Sequence, residues 1–511
     1  MHGMTGHANP RGIKGREVLR TFSRRNKCGL ALWMALAVTT TLWMTASTAS
    51  AGGFTFPELG TKAAGRGGAY MLGANGPEVV YLNPALLTRL EGYHLTIDFS
   101  LHDLDLEFTR AGTDIDGNSY NTVENEFGGV GGSGAFPEPM LFGSADFGLD
   151  DFAFGFGIYG PNAYGLRRFP KDGPQRFVLV ESKLLQVFYS LAAAWRTGGF
   201  RLGATFQLAH TQSSFKTVTS SCCLVSGNEL SDENPDDDAL TTLTLSELRP
   251  TGIIGIAYDV NQSLSFGLTY QLPNSIKQEG TADIEFNGIL ADPAVNAQLL
   301  GDKATFQVEQ ADVLRLSARY AHIVDNRELF DIELAATYEF WSRTEEFRIN
   351  IEGPIQAGLE VPLEDDIILE KNWEDTISLR LGGDYNPNSW LSVRAGTFYE
   401  TAAVPEEFTH LDFISFERFG LGAGATIALG YMDIDLAYLH IFNFERNVTN
   451  GQQEMVAPLA NEDEELPIVN NGNYKSSIQT VSIGLTFHFE ENDVLADTPV
   501  VRDLPKEDAQ Q

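Results

Sequence analysis

Two stretches spell G-x-G-x-x-G, Gly155–Gly160 and Gly129–Gly134. A dinucleotide site needs that run between a strand and a helix, because the helix N-terminus holds the pyrophosphate. Pro161 follows the first run directly, so no cofactor is expected. Asp114-Ile115-Asp116-Gly117-Asn118 resembles a calcium loop, but its glycine falls two places too early for an EF-hand. Cys222 and Cys223 are adjacent, with Cα atoms nearer than the usual disulfide range. There is no convincing G-x-S-x-G, and the nine His form no H-E-x-x-H. No catalytic residue and no metal site are expected, and the chain does not read as an enzyme.

More chemistry is on offer in four arginines. Arg315, Arg319, Arg380 and Arg394 fall on the polar face of alternating segments. A cation inside an otherwise apolar tunnel can hold a ligand carboxylate. Counting back from short turns places Arg319 near Asp331, Arg315 near Glu333 and Arg394 near Asp384, so cross-strand ion pairs compete with that role. Leu439 and Ile441 share a face with Asp433 and Asp435. A mixed lining of this kind suits a greasy ligand.

The elements that position these residues read as strands. Ile377, Leu379 and Leu381 alternate with Ser378, Arg380 and Gly382, and residues 476–489 behave alike from Val481 on. Period two gives each strand two different faces. Fourteen such segments lie between residues 93 and 489. Their connections alternate between long and short, with both ends of the series on the short side. That rhythm predicts a fourteen-stranded antiparallel transmembrane β-barrel, with short periplasmic turns and long outer loops. Trp195, Tyr258, Tyr320, Tyr385, Trp390, Tyr431 and Phe489 sit beside the short turns or at the last strand's end, where an aromatic girdle belongs. A barrel of this size would leak unless filled. The Gly-rich segment 52–92 is the candidate plug.

Residues 1–51 carry seven basic residues, then an apolar run, then Ala49-Ser50-Ala51. Basic, apolar, small is the order of a secretory signal peptide. The net charge is −34 over 511 residues, and removing 1–51 leaves −40. That balance excludes a nucleic-acid partner, which needs a basic surface. Acidic runs at Asp232–Asp238 and Glu462–Glu465 read as solvated loop charge, the alternative being cation bridges to lipopolysaccharide. Residues 490–511 form an acidic tail after the last strand, expected in the periplasm.

The ordered set of motifs resembles the FadL/TodX family of outer-membrane transporters for hydrophobic compounds. It comprises Gly53-Phe54, Gly65-Arg66-Gly67-Gly68-Ala69, Val80-Tyr81-Leu82-Asn83-Pro84-Ala85, Pro161-Asn162-Ala163-Tyr164-Gly165-Leu166, Leu268-Thr269-Tyr270-Gln271, Tyr338-Glu339-Phe340-Trp341-Ser342, Trp373-Glu374-Asp375, Arg394-Ala395-Gly396 and Val404-Pro405. The resemblance implies an N-terminal hatch, with Gly52, Gly53, Phe54, Asn83, Pro84 and Ala85 as gating residues. It implies passive uptake of long-chain fatty acids or hydrocarbons, and sideways exit at a kinked third strand. Gly155, Gly157, Gly160 and Pro161 allow such a kink. Expected partners are the hydrophobic ligand, outer-membrane lipid and lipopolysaccharide, and the barrel-assembly machinery, for a monomer in a Gram-negative outer membrane. Two other readings stay open: a plugged porin for polar solutes, and a structural or adhesive surface barrel.

Overall fold

The computed structural model describes residues 59–489, apart from 115, 127–134, 161–165, 221–237, 358, 362, 364–365, 414 and 458–464. The signal peptide, Gly52, Gly53, Phe54, Pro161, the Cys222-Cys223 pair and the tail lie outside the described residues.

Strands alternate faces because lipid lies on one side and packed lumen on the other. The fourteen are β1 (Tyr93–Arg110), β2 (Ala135–Ala145), β3 (Phe152–Tyr159), β4 (Glu181–Thr197), β5 (Phe200–Ser220), β6 (Asp238–Asn261) and β7 (Leu264–Gln271, then Ile276–Phe286). They continue with β8 (Lys303–Val308, then Val313–Val324), β9 (Arg327–Glu339, then Glu346–Ile351), β10 (Ile367–Glu370, then Thr376–Tyr385), β11 (Leu391–Glu400), β12 (Arg418–Ala428), β13 (Met432–Asn443, then Arg446–Val448) and β14 (Gly472–Phe489). Neighbours pair antiparallel, and β1 closes on β14 from Tyr93 opposite Phe489 to Arg110 opposite Gly472. Closure pairs the first strand with the last, so neither is left as a free edge strand.

The seven aromatics beside the short turns are all exposed, facing outward. A second set marks the other boundary. The Tyr270 hydroxyl donates to Asp312 at 2.5 Å, Tyr338 to Asp375 at 2.8 Å, and Tyr399 to Glu417. Each phenol keeps its ring on the apolar band and its oxygen on an acid above it. From Trp390 to Tyr399 is about 30 Å of strand. At barrel tilt that is roughly 20–25 Å of height, the thickness of a lipid-facing band.

The wall is irregular at β2. β2 pairs with β3 only from Leu141 opposite Ile158 to Ala145 opposite Phe154. Among the described residues, Ala135–Met140 pair with β1 alone. Pro137 and Pro139 fall in that stretch. Pairing with β1 runs through both of them, which fits their missing donors facing away from β1; the positions that would lie opposite on the other side, 161–164, are outside the described residues.

Candidate functional site: the lumen, its hatch and its outer mouth

Residues 59–90 lie inside the barrel against the short-turn half of the wall. They form α1 (Thr61–Gly65), α2 (Val79–Leu82) and a 3-10 helix (Pro84–Arg89). Helices this short are not stable alone, and this hatch is held by the strands around it. Arg66 donates to both oxygens of Asp331, at 3.0 and 2.8 Å, and lies 3.1 Å from Asp384. Glu333 accepts the backbone N–H groups of Met71, Leu72 and Gly73 at 2.9, 2.8 and 2.7 Å. Asp98 accepts the Thr61 N–H at 3.1 Å and the Thr61 hydroxyl. Arg89 donates to Asp259 at 2.5 Å. Four strands, β1, β6, β9 and β10, thus present carboxylates to one small element.

The wall is thinned where the hatch touches it. A methyl group at Gly396 or Gly422 would overlap the carbonyls of Arg66 and Ala64, and one at Gly203 would overlap the Pro84–Ala85 peptide. Asn83 caps the 3-10 helix by accepting the Ala85 N–H at 3.1 Å, and its amide donates to the Ile256 carbonyl at 3.1 Å. The Asn83-Pro84-Ala85 motif is therefore seated on β5 and β6. On β3, Gly155 faces Val80 and Leu87 of the hatch, whereas Gly160 lies close to the Gln186 carbonyl of β4. Gly157 lies beside Phe142 and Tyr159. Leu439 and Ile441 are buried with Ala64, Phe398 and Ile478. They pack the hatch to the wall.

The arginines divide. Arg319 donates to Asp331 at 2.7 Å and pairs with Glu328. Arg380 donates to Glu400 at 2.8 Å. Arg394 lies 3.5 Å from Asp384 and 3.6 Å from Asp435. Arg315 does not meet Glu333. A bulge between His322 and Ile323 sets the register so that Arg315 stands opposite Thr337 and Glu333 opposite Arg319. Arg315 instead donates to the Tyr81 hydroxyl at 3.0 Å and to Gln271 Oε1 at 3.2 Å.

Toward the long-loop end the wall of β5 to β10 rises as an apolar cup. Phe215, Leu243, Phe306, Phe347, Ile351 and Leu369 line a cavity of about 70 Å³ there, together with His410 and Asp412. Both belong to the β11–β12 connection, which folds inward over residues 401–413 and buries Phe408 and Phe413. Lys371 and His410 each approach Asp412 at 2.8 Å. Asn470 donates to the carbonyls of Glu407 and Thr409 at 2.9 Å. Burial pushes the His410 imidazole below its ordinary range, although Asp412 beside it acts the other way. Burial would raise the Asp412 carboxyl, but His410 and Lys371 hold it well below the carboxylate range. Among the described residues, no group of three His, Cys, Asp or Glu could hold a metal ion.

Residues 42–489 match the model of a family described as outer membrane protein transport protein (OMPP1/FadL/TodX). The chain belongs to this family. As a FadL/TodX protein it is an outer-membrane transport barrel. No curated protein matches it by sequence. Its fold is similar to a Pseudomonas aeruginosa FadL homologue (TM-score 0.69, 18% identity, covering 86% of this chain and 100% of that one). It is also similar to the Ralstonia pickettii toluene transporter TbuX (TM-score 0.59, 16% identity, 85% and 99% covered). The P. putida toluene transporter TodX follows (TM-score 0.58, 14% identity, 82% and 95% covered). At these identities the likeness speaks to the FadL/TodX fold. Three features went unread in the sequence: Pro137 and Pro139 in a strand, Glu333 as a hatch anchor, and the wall glycines as a seat. Only the prolines carried a local signal.

Proposed function

We propose that this chain is a passive outer-membrane channel for uptake of hydrophobic compounds, long-chain fatty acids or hydrocarbons. The observation that carries the reading is the almost wholly apolar lining of the cavity at the long-loop end, about 70 Å³. Apolar linings of this kind bind by removing greasy surface from water. Ligand captured there moves down the lumen to the hatch. Asn83, Pro84 and Ala85, with Gly52, Gly53 and Phe54 before them, gate its passage. Exit is sideways, through the edge of β2 beside β3, because the hatch below is tied to four strands. The long loops face outward and both termini face the periplasm, after removal of residues 1–51. Lipopolysaccharide and the assembly machinery are its partners at the membrane, and it acts as a monomer.

The test is uptake into proteoliposomes or into cells lacking their own transporter. Labelled oleate or toluene should enter faster with the protein than without it, and a labelled sugar should not. Sugar uptake without oleate or toluene uptake would sink the reading in favour of a plugged porin. Replacing Asn83 and Pro84 should slow entry in a barrel that still assembles.

A further inference from the structure

We infer that Arg315 is the specificity residue of this channel, the group that admits a ligand with an anionic head; the inference rests on the transport reading above. Arg66, Arg201, Arg319, Arg380, Arg394 and Arg418 point into the lumen, and each lies within ion-pair distance of a carboxylate. Arg315 differs. Among the described residues no carboxylate lies within ion-pair distance of it. Its Nη2 is shared between the Tyr81 hydroxyl at 3.0 Å and Gln271 Oε1 at 3.2 Å, and its Nη1 is buried with no acceptor.

Nearby acids are committed elsewhere. Glu333 is taken by the hatch N–H groups of Met71, Leu72 and Gly73. Glu339, two residues along β9 from Thr337, accepts the Trp341 indole N–H at 2.6 Å. A buried guanidinium donor without an acceptor is costly, and a planar anion is the group that best completes it. A hydroxyl or ester satisfies one donor and leaves the charge uncompensated.

The surroundings suit the rest of an amphiphile. The Arg315 guanidinium lies over the Tyr81 ring at 5.1 Å. Tyr81 packs edge-on against Tyr159 at 5.4 Å, and Tyr159 stacks on Phe142 at 5.1 Å and Phe188 at 5.9 Å. Phe142 lies on β2 just past the stretch that carries Pro137 and Pro139, so a packed run of aromatic rings joins the cation to that part of the wall. Tyr81 is a hatch residue, and an anion that takes Nη2 competes with its hydroxyl.

The experiment compares palmitate with hexadecane, which has the same carbon number and no head. Both are offered, labelled, to cells producing wild-type protein, Arg315→Met or Arg315→Lys, with assembly checked by heat-modifiable migration. The palmitate-to-hexadecane uptake ratio should fall at least about tenfold in Arg315→Met, and Arg315→Lys should recover part of it. An unchanged ratio in Arg315→Met overturns the inference and leaves the channel. So does a wild-type protein that imports hexadecane and not palmitate. Import of neither by the wild type overturns the transport reading, and the inference with it.

Discussion

The Arg66 guanidinium and the Asp331 carboxylate meet through two parallel N–H···O bonds of 3.0 and 2.8 Å, both side chains out of contact with water. One belongs to the hatch and the other to β9. In a buried site this fork is directional as well as attractive, and it fixes the hatch in rotation as well as depth. Removing one member of a buried pair costs about 3–5 kcal/mol only where it strands the other charge. Arg66→Met should therefore leave a folded barrel with a loosened hatch, because Asp331 keeps Arg319. Planar-bilayer recordings should show more frequent openings than in the wild type. A variant as quiet as the wild type would mean that the hatch does not depend on this pair.

The wall glycines predict a second way to unseat the hatch, from the opposite partner. Gly396 on β11 lies against the Arg66 carbonyl so closely that a methyl there would overlap it. The overlap is with backbone, which cannot rotate away. Gly396→Val keeps β propensity, so the strand should form while the hatch is displaced. Cells producing it should become more sensitive to vancomycin, which an intact outer membrane excludes. Unchanged sensitivity with normal assembly would show that the hatch has room to shift.

Much of the barrel was legible because lipid and lumen impose period two on every strand, as in Ile377, Leu379 and Leu381. The site was less so. Arg66 and Asp331 are 265 residues apart, and nothing local in either segment points to the other. Arg315 was misplaced by the count along the strand. From the turn at Asp325-Asn326, with the one-residue bulge at His322, Arg315 falls opposite Thr337, four residues from Glu333, and in a strand the register decides every partner. Glu333, freed from Arg315, could then serve the hatch. Pro137 and Pro139 were readable in principle, since two prolines two residues apart in a strand mark an edge.

The inward fold of residues 401–413 carries a pH dependence. His410 is buried and its pKa is lowered in the folded protein, so the unfolded loop takes a proton first. Its contribution is full above the ordinary imidazole pKa, about 6.5, and declines as pH falls below it. Asp412 is held down as well; its contribution is full above the carboxylate range and is lost only as pH falls through its depressed value. Between pH 7.5 and 5, then, of this pair it is His410 that titrates. Hydrogen exchange in 401–413, corrected for its intrinsic pH dependence, should be faster at pH 5. His410→Gln should remove the difference. Equal corrected rates at the two pH values in the wild type would refute this account.

The stretch of β2 that carries Pro137 and Pro139 gives the most direct test of the proposed sideways exit. Ala135–Met140 pair with β1 alone among the described residues, and Pro137 and Pro139 have no N–H to offer a strand on the other side. Pro137→Val with Pro139→Val restores two donors in residues that favour strands. Each backbone hydrogen bond they make contributes about 1 kcal/mol, so two would favour a closed wall by roughly tenfold or more. The lumen, the cavity at the outer mouth and the hatch contacts would be untouched. If ligand leaves through this edge, the double variant should bind hydrophobic ligand in detergent as the wild type does, yet import it several-fold more slowly. Slow import with normal binding separates a blocked exit from a damaged capture site. Import at the wild-type rate by a correctly assembled double variant would rule out this edge as the exit and direct attention to a path past the hatch.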